Sequence, residues 1–239
     1  MDPKTGGEAA TCSSSGEAAP QFDVIFVIGG PGAGKRTLCE RLAARFGFYH
    51  HFSAGDYLRS LAKAADSTNA DWVSPASPLS PAEVYAGLMP ADLCVQMKRS
   101  ALLPDDVILK MLLFEMQQVH AEQGCLGFII DGFPRTVQSA MAWHVEVGKP
   151  AMVLRVHTLR DTAQKRFLTR GRDLGDTAEE HDIRHDQFEI QNPAIEMLYM
   201  GLGLLRRIDN EGELDKTVSQ AMKALVGVQE VVDRPVGNN

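Results

Sequence analysis

A run of branched apolar residues, Asp23-Val-Ile-Phe-Val-Ile28, breaks directly into Gly29-Gly-Pro-Gly-Ala-Gly34-Lys35, and no other feature limits so sharply what this chain can fold into. Near-continuous apolar content is what a strand buried on both faces of a parallel sheet requires. The glycines allow successive backbone N–H groups to converge on an anion, and a helix opening immediately afterwards adds its positive end. Lys35 then reaches along a chain of phosphates, a role that a turn built only for tightness would not need. Strand, glycine-rich loop and helix together meet the context of a P-loop as well as its spacing. The phosphate contacts expected from it are Gly30, Pro31, Gly32, Ala33, Gly34, Lys35, Arg36 and Thr37. The slot after the lysine holds Arg36 rather than the usual hydroxyl residue, which disfavours GTPases and motor ATPases, whose Mg²⁺ site uses that hydroxyl. An Asn-Lys-x-Asp run that would read guanine is also missing from the sequence.

The remaining pattern extends this start into an α/β fold. Helical periodicity runs from Thr37 to Phe46, a short strand spans Phe48 to Phe52, and Ser53 caps a helix reaching about Ala65. Leu126 to Ile130, Ala151 to Val156 and Leu204 to Ile208 read as three further strands, with helical segments between them. Such alternation predicts a doubly wound, parallel, five-stranded sheet of the P-loop NTPase type, with its ligands at the carboxyl ends of the strands. A chain of 239 residues suits one core with small inserted subdomains. Residues 1–20 are expected to be a disordered tail and 231–239 a second tail, around a single domain spanning 21–230. The Ser-, Pro- and Asn-rich stretch from Asp66 to Pro81 reads as an inserted loop, because prolines at that density interrupt helix and sheet alike. Gly87 to Met97 echoes Ala101 to Met111. Either a local duplication or two helices that each begin with proline in the first turn would account for the echo.

Acidic residues outnumber basic ones, 31 to 24, for a formal net charge of -7, so no broad nucleic-acid footprint is expected and any anion must meet a local cationic cluster. No apolar run has the length needed to cross a bilayer. Cys12, Cys39, Cys94 and Cys125 are scattered without a C-x-x-C pair, and residues 1–20 resemble neither a secretory signal nor a transit peptide. A reducing compartment follows, with the cytoplasm as the default and a monomer as the expected state.

Four segments, in order, carry a resemblance to the adenylate kinase family, which includes the UMP-CMP kinases. The loop through Thr37 resembles the family's G-G-P-G-x-G-K-G-T, with Arg36 in place of a glycine. Ser53-Ala-Gly-Asp-Tyr-Leu-Arg59 is similar to S-x-G-D-x-L-R, and Asp131-Gly-Phe-Pro-Arg135 reproduces D-G-F-P-R. Lys165-Arg-Phe-Leu-Thr-Arg-Gly-Arg172 resembles the R-x-L-x-R-G stretch that enters the family's lid. The likeness covers roughly residues 22 to 226.

It implies a kinase that moves the γ-phosphoryl group of ATP, with Mg²⁺, to a nucleoside monophosphate, so that its partners are small nucleotides. On this likeness Lys35, Arg135, Arg170, Arg172 and Arg184 are the catalytic cations, and Arg166 packs on the adenine of ATP. Ser53, Ala54, Gly55, Arg59, Gly132, Phe133, Arg135, Gln138 and Ser139 hold the monophosphate, within or beside a subdomain spanning 53–104. Residues 170–184 form a short lid. Asp131 holds Mg²⁺ through water, with Thr37 as a second metal contact.

The chemistry is consistent with that assignment. Two polyanions brought into line need compensating positive charge in a site of low dielectric, and planar guanidinium groups suit phosphate oxygens. The attacking phosphate oxygen is already ionised at neutral pH, so no general base is required. Ala54 and Trp143 lean slightly toward UMP and CMP, with AMP a close second. The position four after the signature arginine, Gln in adenylate kinases and Asn in UMP-CMP kinases, is Ser139 here, with Gln138 one residue early. A nucleotide-binding regulatory protein that has lost catalysis is the alternative from another class. His181 and His185 read as a solvated polar face, and His50 and His51 as ordinary strand-end residues.

Overall fold

The computed structural model of the protein describes residues 22–57, 60, 105–170 and 176–232. Five strands, β1 (Asp23–Ile28), β2 (Tyr49–Ser53), β3 (Gly127–Asp131), β4 (Met152–His157) and β5 (Leu205–Asp209), form one sheet in the order β2-β3-β1-β4-β5, with every pairing parallel. Helices α1 (Lys35–Phe46), α2 (Asp105–Gln123), α3 (Val137–Glu146), α4 (Arg160–Thr169), α5 (Ala178–Gly201) and α6 (Leu214–Val232) alternate with them. The doubly wound P-loop fold expected from the sequence is the fold obtained.

The central strand divides the core by simple alternation. Val24, Phe26 and Ile28 face a cluster with α2, α3 and α5 that contains Leu112, Met116, Trp143 and Tyr199. Ile25 and Val27 face the other side, where α1 and α6 contribute Leu38, Leu42, Ala221 and Leu225. The order reverses at β1, which carries β3 on one side and β4 on the other, so the loop after β1 opens at the topological switch point.

Each strand other than β1 begins and ends one residue later than apolar content alone predicts. The ladder continues into a polar residue at the carboxyl end, Ser53, Asp131, His157 or Asp209, because hydrogen bonding between strands does not depend on side-chain polarity. Ser53 pairs with Asp131 in register and His157 with Asp209, so this edge is polar in two adjacent pairs. α1 likewise starts at Lys35, two residues before its apolar pattern begins. α6 runs to Val232, past the start expected for the second tail.

The second copy of the internal echo opens α2 directly after Pro104. Its first copy, residues 1–20, the 66–81 insertion and most of the expected 53–104 subdomain lie outside the described residues.

Candidate active site

The loop between β1 and α1 is built around positive-φ glycines. At Gly32 (φ 75°) a Cβ would stand 2.0 Å from the Ala163 carbonyl oxygen of α4, and at Gly34 (φ 85°) it would stand 2.4 Å from Asn210 Nδ2. No side chain caps α1, whose first internal hydrogen bond runs from Leu38 N–H to Gly34 O at 3.1 Å, and the first turn carries no acid. Its leading N–H groups and the positive end of the helix are therefore directed at an anion. The Lys35 ammonium donates to Gly29 O (2.8 Å) and Gly30 O (2.9 Å) and curls back over the loop. Burial pushes its pKa down to about 8, with Asp131 acting against that shift and Arg135 and Arg170 reinforcing it. Thr37 is exposed in the first turn, while Gly30 and Ala33 are buried and Pro31 half-buried.

Asp131, at the end of β3, is the acidic node. His51 Nε2 lies 2.7 Å from Oδ2, and the Ser53 hydroxyl donates to Oδ1 at 3.2 Å. Burial would raise this carboxyl, yet the His51 hydrogen bond, the Lys35 charge and the Ser53 hydroxyl together hold it below the usual carboxylate range. Each oxygen retains a lone pair beyond those contacts, so a hard, ionised oxygen donor of the kind that holds hydrated Mg²⁺ is in place.

Of the expected cations, Arg135 and Arg170 lie close enough to Lys35 to act on its charge. Arg135 is exposed, with Nε donating to Gly132 O at 2.9 Å, and Gly132 (φ 81°) lies against Gly55, so the D-G-F-P-R loop meets the turn after β2. Arg170 clamps Asp176 with two bonds of 2.7 and 2.5 Å and stacks over Phe167 at 3.8 Å. Arg184 reaches the same ring at 5.7 Å and donates to Glu180 at 2.6 Å. Arg166 donates to Asn210 O at 2.9 Å, beside Gly34. Arg36 turns away from the loop, to Glu40 (2.7 Å) and Asp56 (2.5 Å), and so links α1 to the turn after β2. Arg59 and Arg172 lie outside the described residues.

Several expected acceptor residues are placed otherwise. Phe133 is a core side chain, 1% exposed and packed on Phe26 and Trp143 at 5.6 and 5.7 Å, and Ala54 is equally enclosed. Ser139 is enclosed too. It is 1% exposed and closes a capping box with Thr136, so its hydroxyl bonds to the backbone at the start of α3 and is spent there. Gln138, its neighbour, is the exposed residue of the pair. The usual sequence signal for this box is Glu or Gln three places after the capping Ser or Thr, and Ser139 fills that position here.

Other residues were missed. His51 is not an ordinary strand-end residue, since it orients Asp131. Asn210, 6% exposed, donates to Ala33 O at 2.7 Å and accepts from the Thr217 hydroxyl at 2.9 Å, which braces the P-loop from the far end of the sheet. The solvated-face reading of His181 and His185 is overturned. His181 is fully buried against Phe167 at 5.3 Å, and His185 and Phe188 pack near Gly30, because α5 turns this stripe inward onto α4 and the loop.

Comparison with known proteins places these features in context. A family model described as an AAA domain matches residues 28–93. Adenylate kinase isoenzyme 1 of Oryctolagus cuniculus is 32% identical over 208 residues, covering 85% of this chain and 94% of the relative. The Homo sapiens isoenzyme 1 is 31% identical over the same shares, and that of Gallus gallus 30% identical over 88% of this chain and 98% of the relative.

Proposed function

The chain belongs to the adenylate kinase family and is a phosphotransferase, and from that premise we propose that it transfers the γ-phosphoryl group of Mg-ATP to a nucleoside monophosphate, giving ADP and a nucleoside diphosphate. The observation that carries this reading is the gathering of Asp131, Arg135 and Arg170 around Lys35 at an uncapped helix N-terminus. Such an arrangement neutralises two phosphate chains at once, which is the main demand of the reaction. The loop from Gly30 to Thr37 cradles the ATP phosphates, and Lys35 follows the charge as it moves. Arg166 lies along the adenine side. Arg135 holds the transferring or accepting phosphate together with Arg59, while Arg170, Arg172 and Arg184 close from the lid. Asp131, with Thr37, would hold Mg²⁺ through water, and the ion would supply positive charge against the phosphates. Closure excludes water, which would otherwise accept the phosphoryl group.

For the acceptor we favour AMP, with UMP and CMP as the second reading. The lean toward pyrimidines rests on Ala54 and Trp143, both enclosed in the core, so neither side chain is available to a base. With Ser139 spent in its cap, base reading falls to the exposed Gln138. The alternative of a protein without catalysis loses its main motive, because the Arg36 guanidinium is drawn to Glu40 and Asp56 rather than into the phosphate cradle. We further place the chain in the cytoplasm as a monomer, in keeping with its unpaired buried Cys39 and Cys125. Among the described residues no helix is long and apolar enough to cross a membrane. Coupled ADP release with Mg-ATP and AMP, UMP, CMP, dCMP and GMP tests the reading. Turnover is expected with at least one monophosphate and fastest with AMP, and no release with any of the five would refute transferase activity toward nucleotides.

A further inference from the structure

Phosphoryl transfer gives Cys39 no task, yet its thiol is fully buried one helical turn beyond Lys35 and close to both Lys35 and Asp131. Cys39 Sγ, an imidazole nitrogen of His51 and a carboxylate oxygen of Asp131 lie within 4.8 Å of one another. Each comes from a different element, α1, β2 and β3. The register explains the meeting: His51 and Ser53 share a face of β2, and Ser53 pairs with Asp131. Cys39 projects onto that spot from α1.

Thiolate, imidazole and carboxylate are the donors that Zn²⁺ takes, whereas Mg²⁺ takes oxygen alone. Tetrahedral Zn²⁺, with bonds of about 2.0–2.3 Å, sets its ligand atoms roughly 3–4 Å apart. The cluster, with its donor atoms within 4.8 Å of one another, is near that size already. Cys39 is sealed, but the His51 and Asp131 side chains keep 13% and 10% exposure, so an ion has an edge at which to enter.

We propose that Cys39, His51 and Asp131 form a Zn²⁺ site that competes with the nucleotide's Mg²⁺ for Asp131 and so inhibits the enzyme. On binding, the thiol proton leaves to solvent and the Sγ–Zn bond forms, while the His51 proton that Nε2 donates to Asp131 passes through solvent to Nδ1 and frees the Nε2 lone pair for the metal. The fourth position is left for water or a phosphate oxygen. The inhibitory half rests on the kinase reading above, and the binding half does not.

The test uses the full chain without nucleotide and Co²⁺ alone as the probe. A thiolate-to-cobalt charge-transfer band is expected in the wild type, bleached by one equivalent of Zn²⁺. Removing a direct ligand should weaken binding by at least the roughly 10-fold seen when a supporting contact is lost. Cys39→Ala should therefore lose the band, and His51→Gln should need at least about 10-fold more Co²⁺ to reach it. Cys12, Cys94 and Cys125 stay in place throughout, so a band that survives in Cys39→Ala puts the metal elsewhere and overturns the proposal, as does a wild type with no band.

X-ray absorption of the Zn²⁺-loaded wild type should find one sulfur scatterer, which guards against a variant that fails to fold. In the kinase assay Cys39→Ala should keep its Mg²⁺-supported rate and require at least about 10-fold more Zn²⁺ for half inhibition. Equal sensitivity of the two proteins would remove the inhibitory role. A chain that transfers nothing yet shows the Cys39-dependent band would sink the kinase reading and uphold the metal site.

Discussion

Lys35 is the residue on which the electrostatics turn. Its pKa of about 8 in the nucleotide-free protein reflects burial first, with Arg135 and Arg170 adding repulsion. Triphosphate binding brings negative charge to the ammonium and raises that pKa, so binding takes up a proton wherever the free amine is partly neutral. The sign follows from linkage: affinity for ATP is full below pH 8 and falls by up to about tenfold per unit as pH rises above it. Calorimetry at pH 8.5 in buffers of different ionisation enthalpy should find proton uptake on binding ATP. Lys35→Met should lose the uptake and most of the transfer rate while remaining folded, since the backbone cradle survives. ATP affinity that stays constant from pH 7 to 9.5 would contradict the account. Arg36 illustrates the reverse point, that a cation beside the phosphates in sequence need not face them. Its guanidinium is drawn to Glu40 and Asp56, where burial is slight.

At the scale of the element, α3 decides what its first turn can do. Thr136 accepts from Ser139 N–H at 3.0 Å, and the Ser139 hydroxyl accepts from Thr136 N–H at 3.1 Å, so two donors at the helix start are satisfied. A change at Ser139 consequently acts on folding before it acts on the acceptor. Ser139→Asn forces a larger polar group into a position that is 1% exposed and breaks the box, a loss of about 1–3 kcal/mol in denaturant unfolding. Gln138→Ala, on the exposed side of the same turn, should leave stability within about 0.5 kcal/mol and raise the KM for AMP instead. A Ser139→Asn variant of undiminished stability that discriminates more sharply among monophosphates would return Ser139 to base recognition.

Across the whole molecule, the two strands on one side of β1, β4 and β5, are tied to α5 by one acid. Glu196 accepts from Arg155 of β4 at 2.7 Å and from Arg207 of β5 at 3.2 Å, and Asn192 adds a further contact. Burial alone would raise its carboxyl, but these partners outweigh it and hold the group below its ordinary value of 4.5. Because the folded pKa is depressed, the stability it contributes is complete above about pH 4.5 and is lost as pH falls through the folded value. Asp131 acts in the same direction from the other side of β1. Glu196→Ala leaves Arg155, whose side chain is 15% exposed, without its carboxylate and should cost about 2 kcal/mol in urea unfolding at pH 7. The difference between variant and wild type should shrink as pH falls below the ordinary 4.5, and a gap that stays constant down to the acid unfolding of the wild type would assign the loss to packing.

The sequence alone determined the parallel sheet, the loop that meets phosphate and the principal cations, because each of these depends on local chemistry: strand periodicity, glycine spacing, and a lysine next to a helix start. It could not supply the strands' polar last residues, since the ladder is a pairing between segments and leaves no mark in the hydropathy of either. Nor could it show that His51 orients Asp131, that Asn210 braces Ala33, or that Cys39 meets both acid and imidazole. His51 and Asp131 stand 80 residues apart in the chain, Asn210 and Ala33 177, and Cys39 and Asp131 more than 90. Only the order β2-β3-β1-β4-β5, which sets the polar ends of strands remote in sequence along one edge, brings such residues within bonding distance.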